Sequence, residues 1–111
     1  MKPNFVASKL NFINEEWGTS PDDFIVQAHC EITCDGQPGG EAFIVNLVSP
    51  KRLEKMLRLG AEPVIGGHDF FIMENVNEGN VLALIQAMLY RTKANTWKEL
   101  IDLTSVAFQW I

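Results

Sequence analysis

From Phe24 to Cys34 the even positions read Phe, Val, Ala, Cys, Ile and Cys, while the odd positions include Gln27, His29, Glu31 and Thr33. A period of two is what a pleated strand with one buried and one wetted face requires. The next six residues, Asp35-Gly36-Gln37-Pro38-Gly39-Gly40, tolerate positive φ or preset it, which predicts a hairpin connection. A second strand is expected from Glu41 to Val48, and its nearly unbroken apolar run suits a central place in a sheet. Upstream, Phe5 to Ile13 reads as a weaker strand with Val6, Leu10 and Phe12 on one face. Glu15 to Asp23, containing Trp17, Gly18 and Pro21, reads as the loop that returns the chain.

Beyond Val48 the period changes. Ser49-Pro50 supplies a capping hydroxyl and then the residue best suited to a first helical turn, and Leu53, Met56 and Leu57 follow at i, i+3 and i+4. Gly60 and Pro63 are expected to end this helix. A short strand is expected over His68 to Asn75, then a polar turn at Asn77-Glu78-Gly79-Asn80. Leu82, Ile85, Met88 and Leu89 predict a helix from Val81 to about Thr92. A last helix is expected to open at Asn95 or Thr96, with Trp97, Leu100, Ile101, Thr104 and Phe108 as its stripe and Glu99 completing a capping box with Thr96. This order predicts a single α+β domain over residues 1–111: an antiparallel sheet of about four strands with three helices packed on one face.

At 111 residues, roughly 65% of the unfolded chain's surface can be buried, enough for an apolar core without a structural metal. Nine basic residues against fourteen acidic ones give a net charge of -5, which repels phosphate backbones and anionic lipid at long range. Direct nucleic-acid and membrane partners are therefore not expected. All the excess lies in residues 1–48, which hold two basic and seven acidic side chains; residues 49–111 hold seven of each. No secretory apolar core follows Met1, and no apolar run reaches the roughly 18–20 residues a membrane span needs, so a cytoplasmic location is expected. Cys30 and Cys34, four residues apart in one strand, would stand about 13 Å apart and are expected to be free thiols.

Catalytic constellations are scarce. His29 and Cys30 are adjacent, and adjacent side chains in a strand point to opposite faces, so they cannot form a nucleophile–base pair. His29, Cys30, Cys34 and His68 lack the spacing of a zinc site, and neither a metal nor a cofactor is expected. Gly66-Gly67 lacks the GK[ST] ending of a phosphate loop. Lys51, Arg52, Lys55 and Arg58 give the first helix a basic edge, read as a solvated face. Trp97 and Trp110 belong to apolar stripes. Trp17 stands differently, between Glu15-Glu16 and Asp22-Asp23, the composition of an aromatic anchor for a basic partner. With Glu31, Asp35 and Glu41, these acids form a negative field able to speed association with a cationic protein.

Several stretches together carry a family resemblance: Phe24-Ile25-Val26, Phe43-Ile44-Val45-Asn46-Leu47-Val48-Ser49-Pro50 with Leu53, Phe70-Phe71-Ile72, and Trp97-Lys98-Glu99-Leu100 leading to Phe108-Gln109-Trp110. The chain resembles the immunity protein 8 family, inhibitors encoded beside bacterial contact-dependent and other polymorphic toxins. The resemblance implies a cytoplasmic protein that binds and neutralises a cognate toxin domain, often a nuclease, without doing chemistry itself. Toxic nucleases must hold phosphates, so an acidic inhibitor can occupy the same surface. The expected partner-binding residues are Glu15, Glu16, Asp22 and Asp23 for steering and docking, Trp17 as anchor, and Glu31, Asp35 and Glu41 as secondary contacts. One alternative is a ligand-binding or enzymatic domain with a pocket near His68, Asp69 and Tyr90. Another is a homo-oligomer joined through a strand edge or through Val106, Phe108, Trp110 and Ile111. The free chain is expected to be a monomer or weak homodimer.

Overall fold

The computed structural model describes residues 4–58 and 70–111. Their elements in chain order are β1 (Phe5–Trp17), β2 (Phe24–Cys34), β3 (Gly40–Val48), α1 (Pro50–Arg58), β4 (Phe70–Ile72), α2 (Glu78–Thr92), α3 (Trp97–Thr104) and β5 (Gln109–Trp110). The strands form one sheet in the order β1-β2-β3-β4, with β5 also on β3. The fold is α+β around one core, as expected, but the sheet is mixed. β4 runs parallel to β3, Asn46 opposite Phe70 and Val48 opposite Ile72. The physical reason is the helix between them: a chain that leaves a strand through a helix and re-enters beside it returns in the same direction.

The alternation of β2 is carried through completely. Phe24, Val26, Ala28, Cys30, Ile32 and Cys34 are all buried and join Phe43, Val45 and Leu47 of β3. Val81, Ile85 and Leu89 of α2 and Leu100 of α3 close over this face. α1 sends no side chain into that core and meets the sheet at β2 instead. Both cysteines are free and buried.

β1 is longer than its pattern predicts, and parity explains why. Its pairing with β2 is irregular between Ala7 and Lys9 and again between Ile13 and Glu16, where Asn14 takes φ 48. Each β-bulge inserts one residue and switches which side chains face the core. Phe5 and Ala7, then Leu10 and Phe12, therefore all pack on the core, whereas Val6 pairs with Thr33 away from it. The second bulge carries the strand through Trp17, which the sequence placed in a loop; only residues 18–23 make the turn.

Local capping chemistry behaves as its residue types dictate. Ser49 Oγ accepts from Arg52 N–H at 3.1 Å and opens α1. The polar residues 77–80 are the start of α2 and not a separate turn, with the Asn77 side chain accepting from Asn80 N–H at 2.8 Å. At α3, Thr96 Oγ1 accepts from Glu99 N–H and the Glu99 carboxylate accepts from Asn95 N–H at 2.7 Å. That helix stops at Thr104, earlier than its stripe predicts. Thr104 O accepts from Phe108 N–H at 2.8 Å, and its hydroxyl accepts from Trp110 Nε1–H at 2.9 Å. Phe108 is buried beyond the helix, stacked on Phe43 with centroids 4.0 Å apart. Gln109 and Trp110 then pair with Ile44 and Phe43.

Candidate functional site

The β2–β3 register decides what surrounds the acidic turn. Ile25 stands opposite Val48, so Ser49 lies beside Phe24 and α1 begins where β2 begins. Ser49 Oγ also accepts from Phe24 N–H at 3.0 Å, joining the two starts. The basic edge of α1 consequently faces residues 16–23. Arg52 Nε donates to Asp23 Oδ1 at 2.7 Å, Arg52 reaches Glu16 at 2.9 Å, and Lys55 donates to the other Asp23 oxygen. Lys51 donates to Ser20 Oγ at 3.0 Å and stands 3.6 Å from Asp22. The solvated-face reading of Lys51, Arg52 and Lys55 is thus replaced: three cations answer the carboxylates of the turn. Arg58 alone stays on the helix surface, paired with Glu54.

The four acids of this end differ sharply in environment. Asp23 has no exposed side-chain surface. The Lys55 and Arg52 hydrogen bonds hold its carboxyl below the ordinary value of 3.8. Exposed Asp22 is lowered too, chiefly by the Ser20 hydroxyl at 2.6 Å. Glu16 is exposed even though Arg52 holds it, and Glu15 accepts from Trp17 Nε1–H at 3.3 Å. Trp17 is 44% exposed, with its inner side 5.1 Å, centroid to centroid, from the buried Phe24 ring. The result is a partly exposed indole seated on Phe24 and held by Glu15, at the same end of the sheet as exposed Glu16 and Asp22, whose carboxylates are met by α1. A groove leads from Asp22 past Lys51 and Glu54 to Glu74.

Glu31, Asp35 and Glu41 lie at the far end of β2. Glu31 is 3.8 Å from Lys9, Asp35 accepts from Asn4 at 2.7 Å, and Glu41 is exposed opposite Ile32. Nine residue steps separate Ile25 from Cys34, roughly 30 Å of strand. The eight candidate residues therefore form two groups at opposite ends of the sheet.

His68 and Asp69 lie outside the described residues, and Tyr90 lines a hollow with Asn4, Phe5, Gln86 and Lys93. Burial pushes the Cys30 thiol up to about 11, so it is protonated at neutral pH. Among the described residues, no group of three His, Cys, Asp or Glu side chains converges as a metal site, and no helix is long and apolar enough to cross a membrane.

A family model described as immunity protein 8 matches residues 7–111, from the first bulge of β1 to the last residue. The chain belongs to the immunity protein 8 family. Comparison with curated proteins and with solved structures returned no match. As a member of the immunity protein 8 family, the chain is an immunity protein directed against a polymorphic toxin, and its partner is a cognate toxin protein. The docking surface of such an inhibitor needs no converging acid, base or metal; it needs shape, charge and rigidity.

Proposed function

We propose that this immunity protein neutralises a cationic nuclease domain in the cytoplasm by docking the β1–β2 end onto the surface that would hold nucleic acid. The observation that carries the reading is the half-exposed Trp17, seated on Phe24 and held by Glu15, at the end of the sheet that also carries exposed Glu16 and Asp22. Aromatic anchors in a polar ring are the usual centres of binding energy. A nuclease holds phosphates with cationic side chains, and carboxylates on this edge would take those cations and exclude the substrate. Pairing with α1 reduces the field of the turn but also fixes its shape, so less ordering entropy is lost on docking. Asp23 belongs to the support of this surface and not to its contact face. A standard interface covers about 800 Å² per partner, which suits one end of the sheet, so Glu31, Asp35 and Glu41 are left outside it.

The test is stopped-flow association of the cognate toxin domain with the wild-type chain and with the triple variant Glu15→Lys, Glu16→Lys, Asp22→Lys. At low salt the variant should associate at least about tenfold more slowly, and the difference should shrink at high salt. Trp17→Ala should mainly speed dissociation. An unchanged association rate refutes this placement, and a toxin domain that cleaves no nucleic acid refutes the nuclease assignment.

A further inference from the structure

One side of α2 carries an apolar strip that the other described elements cover only in part: Leu84 and Met88 rest on the core yet each keeps an edge open to a groove. Leu84 borders a groove with Ile72 and Glu74, and Met88, one turn on, borders a second with Arg91 and Leu103. Ile72 is 59% exposed and Leu103 60% exposed, unusual for side chains of this size lying in a row. The ends of the strip carry opposite charges. Glu74 lies at the α2 N-terminal end and Arg91 in its last turn, both exposed and in no ion pair with another described residue. A strip that is acidic at one end, apolar in the middle and basic at the other is complementary to itself after a two-fold rotation. That rotation sets α2 antiparallel to its copy, the favourable alignment of two helix dipoles. It brings Leu84 and Met88 of each copy together and Glu74 of one against Arg91 of the other.

We infer that this strip is a homodimer interface whose occupant is a second copy of the chain, in register through two symmetric Glu74–Arg91 pairs. The inference is independent of how the toxin docks. Because Glu74 also borders the groove beside Asp22, the test reads association of the chain alone, without toxin.

Sedimentation of the full chain should show a concentration-dependent monomer–dimer equilibrium. Glu74→Arg and Arg91→Glu should each weaken it by about tenfold or more, since like charges then face each other twice. An equimolar mixture of these two variants should recover a heterodimer within about threefold of the wild-type affinity, because both pairs are restored with reversed roles. Leu103→Gln should weaken the dimer with an unchanged far-UV circular dichroism spectrum. A chain that stays monomeric to about 1 mM overturns the inference, as does a mixture of the charge variants that fails to recover. A strip variant that loses only toxin binding, in a chain that never dimerises, gives the surface to the toxin and overturns self-pairing.

Discussion

Asp23 is enclosed yet charged, because Lys55 and Arg52 both donate to it and the Gly18 backbone closes the remaining side. A Cβ at Gly18 would collide with this clamped carboxylate, which has no room to move. Gly18→Ala is therefore expected to lower stability by about 1–3 kcal/mol in urea unfolding. The lowered Asp23 pKa has a definite linkage sign: the native state binds this proton less readily than the unfolded chain. Its stabilisation is full above the ordinary carboxylate value of 3.8 and is lost as pH falls through the lower native value. Asp23→Asn should thus lower the melting temperature clearly at pH 7 and flatten the acid limb of the stability curve; an unchanged pH 7 melt contradicts the pairing. Cys30, at about 11 and buried, should resist thiol reagents in the native state and react on unfolding. Residue type alone placed both thiols correctly and misplaced Asp23, since an aspartate in a Pro-Asp-Asp turn reads as solvent-exposed whether or not a helix lies over it.

Ser49 and Gln86 hold the elements at places that periodicity does not describe. The Ser49 hydroxyl serves the first turn of α1 and the first residue of β2 together, at 3.1 and 3.0 Å. Ser49→Ala is expected to cost about 1–2 kcal/mol, because it removes a cap and leaves the Phe24 amide buried without a partner. Gln86 reaches from α2 to the open edge of β1, accepting from Ala7 N–H and donating to Phe5 O, both at 3.0 Å. It occupies backbone groups that an edge strand otherwise offers to another chain. In Gln86→Ala the Ala7 amide should exchange with solvent about tenfold faster or more, with protection in β2 unchanged. The caps of α1 and α3 were legible because they depend on three or four consecutive residues. The β1 bulges were not, since a parity switch looks like noise until a partner strand supplies the register.

For the whole molecule, the excess of acid over base in the N-terminal half is not the field that a partner meets. α1 returns three cations from the C-terminal half to the acidic turn. Lys51 is about half exposed and screens exposed Asp22. Lys51→Gln should therefore speed low-salt association with a cationic toxin by roughly two- to threefold with little effect on stability. A slower rate would show that the cation itself touches the toxin. The acidic excess was legible in the composition, whereas the division of these carboxylates into exposed Glu15, Glu16 and Asp22 and enclosed Asp23 was not.

What the sequence determined by itself was whatever repeats or caps over a short span: the alternation of β2, the helical stripes, the hairpin turn and the α+β class. Tertiary structure decided the parallel strand, the two parity switches of β1 and the partial screening of the acidic turn by α1. Those rest on pairs such as Asp23 with Arg52 and Asn46 with Phe70. They are set by strand register and chain crossover, distances through space that no local period encodes.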